Sequence, residues 1–182
     1  MTREDKDMIR VAKRAERDTE PLMERQKKSL SIAKNALELQ LLSKARTIFS
    51  YLPTQSEVDT HPILWELPGA TILVPKMIDD KIVACIKKDL VPGYLGIEEP
   101  RECEQIPLDE IDVVLIPGIA FDEKGNRIGR GMGHFDRFLK KVECPIIGLA
   151  FEFQIVEKIP TDSYDVPVDM IVTERRIIDC TH

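Results

Sequence analysis

A strand, a glycine-rich loop and a helix follow one another between Ile116 and Lys140 (IPGIAFDEKGNRIGRGMGHFDRFLK), and this succession constrains the fold more than any other stretch of the chain. The preceding run Ile111-Asp112-Val113-Val114-Leu115-Ile116 has the apolar content of a buried strand, while Phe135, Phe138 and Leu139 recur at helical spacing. Between them stand Gly129, Gly131 and Gly133. Such a loop can expose several backbone N–H groups in a concave nest and lead them into a helix N-terminus, where the dipole also favours an anion. Arg127 and Arg130 offer forked hydrogen bonds to phosphoryl oxygens. Asp136 could hold a magnesium ion beside them, since that ion takes one or two carboxylates plus phosphate oxygens. A glycine-rich turn with solvated arginines, its Asp136 bridged to Arg137 or capping the helix, accounts for the same residues without a ligand. The loop matches neither GxGxxG nor GxxxxGK[ST], so neither a dinucleotide fold nor a P-loop follows.

Around this centre the pattern alternates. Residues 3 to about 18 read as a helix with Met8, Ile9, Val11, Ala12 and Ala15 on one side, and Thr19-Glu20-Pro21 has the chemistry of a helix restart. Lys6 and Arg10 are four apart and share a face, which on spacing alone is a solvated charged face. The second helix runs to about Lys44, with Leu30, Ala33, Leu37 and Leu41 as the stripe expected to lie on a sheet. Strands are expected at 45–52, 71–75, 81–86, 145–151 and 166–173, those at 71–75 and 81–86 as internal strands. Short helices are expected after Thr54 and at 152–159, and a long ordered loop at 92–107. Ser56 or Thr60 suits an N-cap, Glu57 and Asp59 suit the first-turn dipole, and His61 reads as a surface or cap histidine. Asp169 is the one acid of an otherwise apolar strand, which favours a strand end or a cation beside it. Strands alternating with helices imply a three-layer α/β/α sandwich with a mostly parallel central sheet, whose ligands collect beyond the carboxyl ends of the strands.

The 182 residues suffice for one domain, 1–182, and are too few for two comfortable ones. A net charge of −6 argues against nucleic acid as a general partner. Cys85, Cys103, Cys144 and Cys180 show neither zinc spacing nor a disulfide framework, so reduced thiols in a cytoplasm are expected. No run approaches the roughly 18 apolar residues of a membrane span, and the charged N-terminus lacks the apolar core of a secretory signal.

Several segments together carry a resemblance. Pro117-Gly118-Ile119-Ala120-Phe121-Asp122, then Gly125-Asn126-Arg127-Ile128-Gly129-Arg130-Gly131-Met132-Gly133, then Asp136-Arg137-Phe138-Leu139, look like the PGxxFD…GxRLGxGxGYYDxxL signature of the 5-formyltetrahydrofolate cyclo-ligase (methenyltetrahydrofolate synthetase) family. Lys6 and Arg10 are similar to its N-terminal KxxxR pair, Tyr51-Leu52 and Glu57–Thr60 to its substrate-side segment, Gly96–Pro100 to its GIxEP-like loop, and Val168–Glu174 to its VDxIVTE ending. The match spans nearly the whole chain in order. His134-Phe135 replaces the family's Tyr-Tyr, and Tyr94 is the one aromatic of the 92–100 segment.

The resemblance implies a NagB/RpiA/CoA-transferase-like sandwich and a ligase that uses ATP and Mg2+ to convert 5-formyltetrahydrofolate into 5,10-methenyltetrahydrofolate. In such an enzyme the formyl oxygen attacks the γ-phosphate, N10 closes on the activated carbon, and phosphate leaves. Carried over residue by residue, it assigns ATP to Lys6, Arg10, Arg127, Gly129, Arg130, Gly131, Met132, Gly133, His134 and Phe135. It assigns the folate to Leu52, Glu57 and His134, magnesium to Asp136 and Asp169, and catalysis to Arg130 and Glu57. A phosphoryl transfer needs positioning and charge neutralisation more than a protein nucleophile, which agrees with the absence of a Ser/His/Asp or Cys/His constellation. The expected partners are 5-formyltetrahydrofolate and ATP, with no nucleic acid and no membrane, in a monomer or weak homodimer. A catalytically weak nucleotide- or pterin-binding homologue is the alternative; a sugar-phosphate isomerase fits less well, since nothing marks a proton-abstracting base.

Overall fold

The computed structural model describes residues 3–54, 56–93 and 96–181. Helices α1 (Arg3–Thr19) and α2 (Leu22–Leu37) lead through the short α3 (Gln40–Ser43) to strand β1 (Thr47–Ser50), and α4 (His61–Trp65) precedes the hairpin of β2 (Thr71–Ile78) and β3 (Lys81–Ile86). A second hairpin, β4 (Leu90–Pro92) and β5 (Glu98–Pro100), leads to β6 (Val113–Pro117). Next come β7 (Ala120–Asp122), β8 (Arg127–Ile128), α5 (His134–Leu139) and β9 (Ile146–Leu149), then β10 (Ile155–Val156), β11 (Met170–Val172) and β12 (Ile177–Asp179).

Seven strands form the main sheet in the order β12-β11-β9-β6-β1-β2-β3. The five from β11 to β2 are parallel, and β12 and β3 are antiparallel edges. Alternation along the central strands separates the two faces. Ile48, Val113, Leu115 and Ile147 pack beneath α2 with Ile32, Ala33 and Ala36. Phe49, Val114, Ile116 and Ile146 pack with Phe138 and Leu139 of α5. Helices thus cover both faces of a mostly parallel sheet, as the alternating pattern requires.

Several local expectations are corrected. Helix α1 turns its apolar residues outward: Met8 is 64% and Val11 70% exposed, while Arg17 is 4% exposed. Only Ile9 of the expected stripe reaches a core, packing on Ile119, Ala120 and Ile128. The reason is what lies beneath, a polar cleft rather than the sheet. The buried stripe of α2 contains Ser29, Ile32, Ala33 and Ala36; Leu30 points out, Leu37 and Leu41 pack partly buried on the same core, and the helix ends at Leu37 rather than running to Lys44. Strand β3 is an edge, not internal. The 92–107 segment contains half of a hairpin, and Tyr94 lies outside the described residues. Residues 152–159 form a 3₁₀ turn (Glu152–Gln154) and β10 rather than a helix, and only 170–172 of the 166–173 run pairs in the sheet.

Cys85 and Cys103 are joined in a disulfide, their Cα atoms 5.0 Å apart. That overturns the expectation of four reduced thiols; Cys144 and Cys180 alone are free. The pairing has no signature in spacing, because it depends on residues 104–105 lying along β3, where Ile86 N donates to Glu104 O and Cys85 bridges Gln105. No helix among the described residues is long and apolar enough to cross a membrane.

Candidate active site

From β1 the chain moves outward to β2, and from β6 it moves the other way to β9, so the order reverses between neighbours β1 and β6. A crevice opens beyond the carboxyl ends of strands at such a reversal. Here it is a cavity of about 610 Å³, floored by Tyr51 and Leu52 after β1 and by Pro117–Ile119 after β6. Its polar end is the glycine loop and α1; its apolar end is Pro75, Met77 and Ile82 of the β2–β3 hairpin with Ile97 and Phe135.

Backbone conformation makes the loop a donor surface. Gly131 and Gly133 take φ of +99° and +65°, values that L side chains rarely adopt, and Gly133 caps α5. Among the described residues, no hydrogen bond within the protein takes up the amides of Gly129, Arg130, Gly131 and Gly133. Four consecutive-turn donors at one wall of a cavity form an anion nest.

Helix α1 closes over this loop with its cationic face. Arg10 Nε donates to Gly129 O at 3.0 Å, its guanidinium lies beside Gly131, and it also pairs with Asp7. Lys6 Nζ donates to Asp165 Oδ2 at 2.6 Å and Asp162 Oδ2 at 2.8 Å. Burial works against the Lys6 charge, but the two carboxylates outweigh it and hold the ammonium above its ordinary value. The α1 face that spacing alone left solvated therefore lines the cavity. Asp162 and Asp165 escaped the sequence reading, because they stand in an irregular segment far along the chain; no local signal marks them.

Arg130 spans to the other wall, where Nη2 meets Glu57 Oε1 at 2.9 Å and Thr54 Oγ1 at 3.4 Å. Glu57 Oε2 accepts from Thr54 N at 2.9 Å, and Glu57 lines the cavity rather than capping α4. Thr60 is the N-cap residue of α4, without a side-chain cap bond, and the Asp59 carboxylate before it accepts from His61 N and meets His61 Nδ1 at 2.7 Å. Tyr51 donates to Val58 O at 2.7 Å, and its burial, then Glu57, pushes the phenol well above its ordinary pKa.

Arg127 does not face the cavity as a free cation. Its side chain is 4% exposed, and Nη2 donates to Asp136 Oδ1 at 2.9 Å. Burial lowers its pKa, with Asp136 the main counterweight. Asp136 Oδ1 also accepts from Val166 N at 3.2 Å, leaving Oδ2 without a protein partner among the described residues. His134 Nδ1 lies 3.0 Å from Arg137 Nη2, and Nε2 3.7 Å from Asp80 Oδ1. Met132 is half exposed at the cavity rim.

Asp169 is not brought to Asp136. It sits at the amino-terminal edge of the sheet, where Oδ2 accepts from Ile146 N at 2.7 Å, and it does not line the cavity beyond the carboxyl ends. The acid in the apolar strand is explained by that bond at the strand's start. Among the described residues no group of three or more His, Cys, Asp or Glu could hold a metal by itself. Asp136 Oδ2 fits a magnesium ion that arrives with most of its ligands supplied by phosphates and water.

Fold and site together describe an α/β protein with a cavity at a topological switch point, lined by backbone amides and cations at one end and by apolar side chains at the other. Residues 2–174 match the 5-formyltetrahydrofolate cyclo-ligase family. The 5-formyltetrahydrofolate cyclo-ligase of Haemophilus influenzae is 32% identical over 157 residues, covering 78% of this chain and 83% of that protein. The one from Escherichia coli K12 is 30% identical over 146 residues, covering 73% and 80%. The solved structure of Aquifex aeolicus 5,10-methenyltetrahydrofolate synthetase superposes with a TM-score of 0.89 at 31% identity, over 97% of this chain and 93% of that one. The chain belongs to the 5-formyltetrahydrofolate cyclo-ligase family, whose members are ligases.

Proposed function

We propose that this protein cyclises 5-formyltetrahydrofolate to 5,10-methenyltetrahydrofolate with ATP, releasing ADP and phosphate. The observation that carries the reading is a single cavity whose glycine-loop end supplies unpaired amides and cations while its other end is apolar. A triphosphate and a pterin need those two environments side by side.

In the proposed reaction the triphosphate lies along the amides of Gly129–Gly133, with Lys6, Arg10 and Arg130 as its cations. Arg127 acts through Asp136, fixing that carboxylate. Asp136 Oδ2 is the protein ligand for the magnesium ion of the nucleotide, which when bound neutralises phosphate charge. The pterin lies against Leu52, Met77, Ile82 and Phe135, its formyl group toward Glu57 and Arg130. The formyl oxygen displaces ADP from the γ-phosphorus; N10 then attacks the formyl carbon, and the C–O bond breaks to give phosphate. The protein's part is to hold three reacting centres in line and dry, for which no side-chain nucleophile is needed.

The test is direct. Purified protein with 5-formyltetrahydrofolate, ATP and magnesium should generate the methenyl chromophore and one ADP per product. Saturable binding of both ligands without chromophore would instead make it a binding homologue, and His134-Phe135 would be the first positions to revert to tyrosine.

A further inference from the structure

Arg137, in α5, is outside every role assigned so far. It reaches the glycine loop from behind, where Nη1 donates to Met132 O at 3.0 Å. Gly131, Met132 and Gly133 line the cavity, whereas Arg137 is not among the described residues that do. The peptide between Met132 and Gly133 is trans, so its C=O and N–H point in opposite directions. A carbonyl drawn back to Arg137 therefore sends the Gly133 N–H toward the cavity.

This peptide needs an external hold. Gly131 and Gly133 flank Met132 with φ of +99° and +65°, and a glycine after the peptide admits either sign of φ, so the plane can turn over at little cost. Turned over, it would aim the Met132 carbonyl at an anion in place of a donor. The guanidinium that prevents this is itself triangulated. Its Nη2 lies 3.0 Å from His134 Nδ1 and donates to Asp80 O at 3.3 Å, with Asp80 Oδ2 at 3.5 Å. Asp80 belongs to the β2–β3 turn, where Asp79 and Asp80 take φ of +48° and +58°. Consecutive left-handed residues make a type I′ turn, whose second position is usually glycine; an aspartate there puts both a carbonyl and a carboxylate on Arg137.

We infer that Arg137 is a positioning residue that keeps the Met132–Gly133 peptide turned for anion binding, with Asp80 and His134 as its anchors. The Gly129–Arg130 peptide at the other end of the loop is held in a similar manner, by Arg10 Nε on Gly129 O at 3.0 Å. Through Asp80 the β2–β3 hairpin, whose Met77 and Ile82 belong to the apolar end of the cavity, is tied to the phosphate loop by one side chain. Arg137 thus sets the two ends of the cavity against each other without touching a ligand. The role rests on ATP being the ligand of the loop, with the Gly133 amide donating to a phosphoryl oxygen.

The experiment follows the backbone amides of Arg130, Gly131 and Gly133 by nitrogen–proton correlation NMR as magnesium and ATP are added without folate, in wild type, Arg137→Met and Arg137→Lys. All three resonances should shift in wild type. In Arg137→Met the Gly133 shift should be largely lost while those of Arg130 and Gly131 persist, and Arg137→Lys, whose ammonium can still reach Met132 O, should restore it. The side chain is 51% exposed, so the urea midpoint of Arg137→Met should stay near wild type. Its kcat/KM for ATP should fall about tenfold, less than the loss on deleting such a donor outright, with the KM for 5-formyltetrahydrofolate unchanged. A Gly133 resonance that ATP leaves unmoved in wild type, that moves equally in Arg137→Met, or whose loss is shared by Arg130 and Gly131, would overturn the role of Arg137. So would wild-type kcat/KM in Arg137→Met. Should that variant not fold, Arg137→Gln takes its place and is read in the same way. A wild type that shows the Gly133 shift but forms no methenyl product would refute the proposed reaction alone, and the NMR comparison would still decide the part played by Arg137.

Discussion

Arg127 Nη2 lies 2.9 Å from Asp136 Oδ1, with side chains 4% and 22% exposed, so the arginine that sequence pattern assigns to phosphate is the fixed counter-ion of the first turn of α5. Arg130, three residues on, makes the more exposed pair with Glu57. Two arginines of one motif thus divide the labour: one holds the loop's carboxylate in place, the other is available to a ligand.

That division predicts different kinetic phenotypes. Arg127→Ala strands a partly buried carboxylate and should cost about 3–5 kcal/mol of unfolding free energy in urea titration. Arg130→Ala likewise strands a carboxylate, that of Glu57 with a side chain 6% exposed, and should also lose stability, but it should in addition reduce kcat/KM for ATP about a hundredfold by removing a phosphate contact. Wild-type kcat/KM in folded Arg130→Ala would contradict the assignment.

Sequence legibility follows the range of the interactions involved. The core strands β1, β6 and β9 and the glycine loop are marked by contiguous residues, and so were readable. Lys6 and Arg10 were placed through their resemblance to a family pair; spacing alone described α1 as an ordinary amphipathic helix. Its actual polarity, cations in and Met8 and Val11 out, depends on the site beneath it, which belongs to residues over a hundred positions away. Asp165 beneath Lys6, Glu57 beneath Arg130 and Cys103 beside Cys85 are pairings of the same non-local kind. Asp169 shows the converse error: an acid in an apolar strand needs a partner, and a backbone amide at a strand end satisfies it as well as a metal would.

The Cys85–Cys103 bond closes a loop of 18 residues around the β4–β5 hairpin, whose Ile97 to Glu99 line the cavity. On chain entropy, Cys103→Ser should cost about 3 kcal/mol, measured by thermal or urea unfolding without reductant. Thiol titration of the native protein should count two reactive groups, not four. Burial holds both Cys144 and Cys180 up to about 11, so their modification should be slow near neutrality and accelerate toward that pH.

Glu152 supplies a pH-dependent contribution. Burial would raise its pKa, but hydrogen bonds from Thr173 and Arg176, at 2.7 and 3.0 Å, outweigh it and the folded value is depressed. A depressed folded pKa contributes stability above the unfolded value near 4.5 that is lost as pH falls through the folded value. Glu152→Gln should accordingly be less stable than wild type at pH 7, with the difference closing progressively below about pH 4.5. A difference that stays constant down to acid unfolding would mean the carboxylate charge is not what holds Thr173 and Arg176.

Asp169 and Asp136 separate by one pair of substitutions. Asp169→Ala leaves Ile146 N without its acceptor at the start of β9 and should cost about 1–3 kcal/mol, while kcat and the magnesium concentration for half-maximal activity stay at wild-type values. Asp136→Asn keeps an acceptor for Arg127 and Val166 N and should remain folded, yet raise the half-maximal magnesium concentration about tenfold or more, because Oδ2 loses the charge that a hard cation needs. Titrating magnesium at saturating ATP in both variants reads the two effects independently of stability. A rise with Asp169→Ala equal to that with Asp136→Asn would require a rearranged carboxyl segment in the nucleotide-bound state, one in which Ile146 N exchanges the Asp169 carboxylate for water.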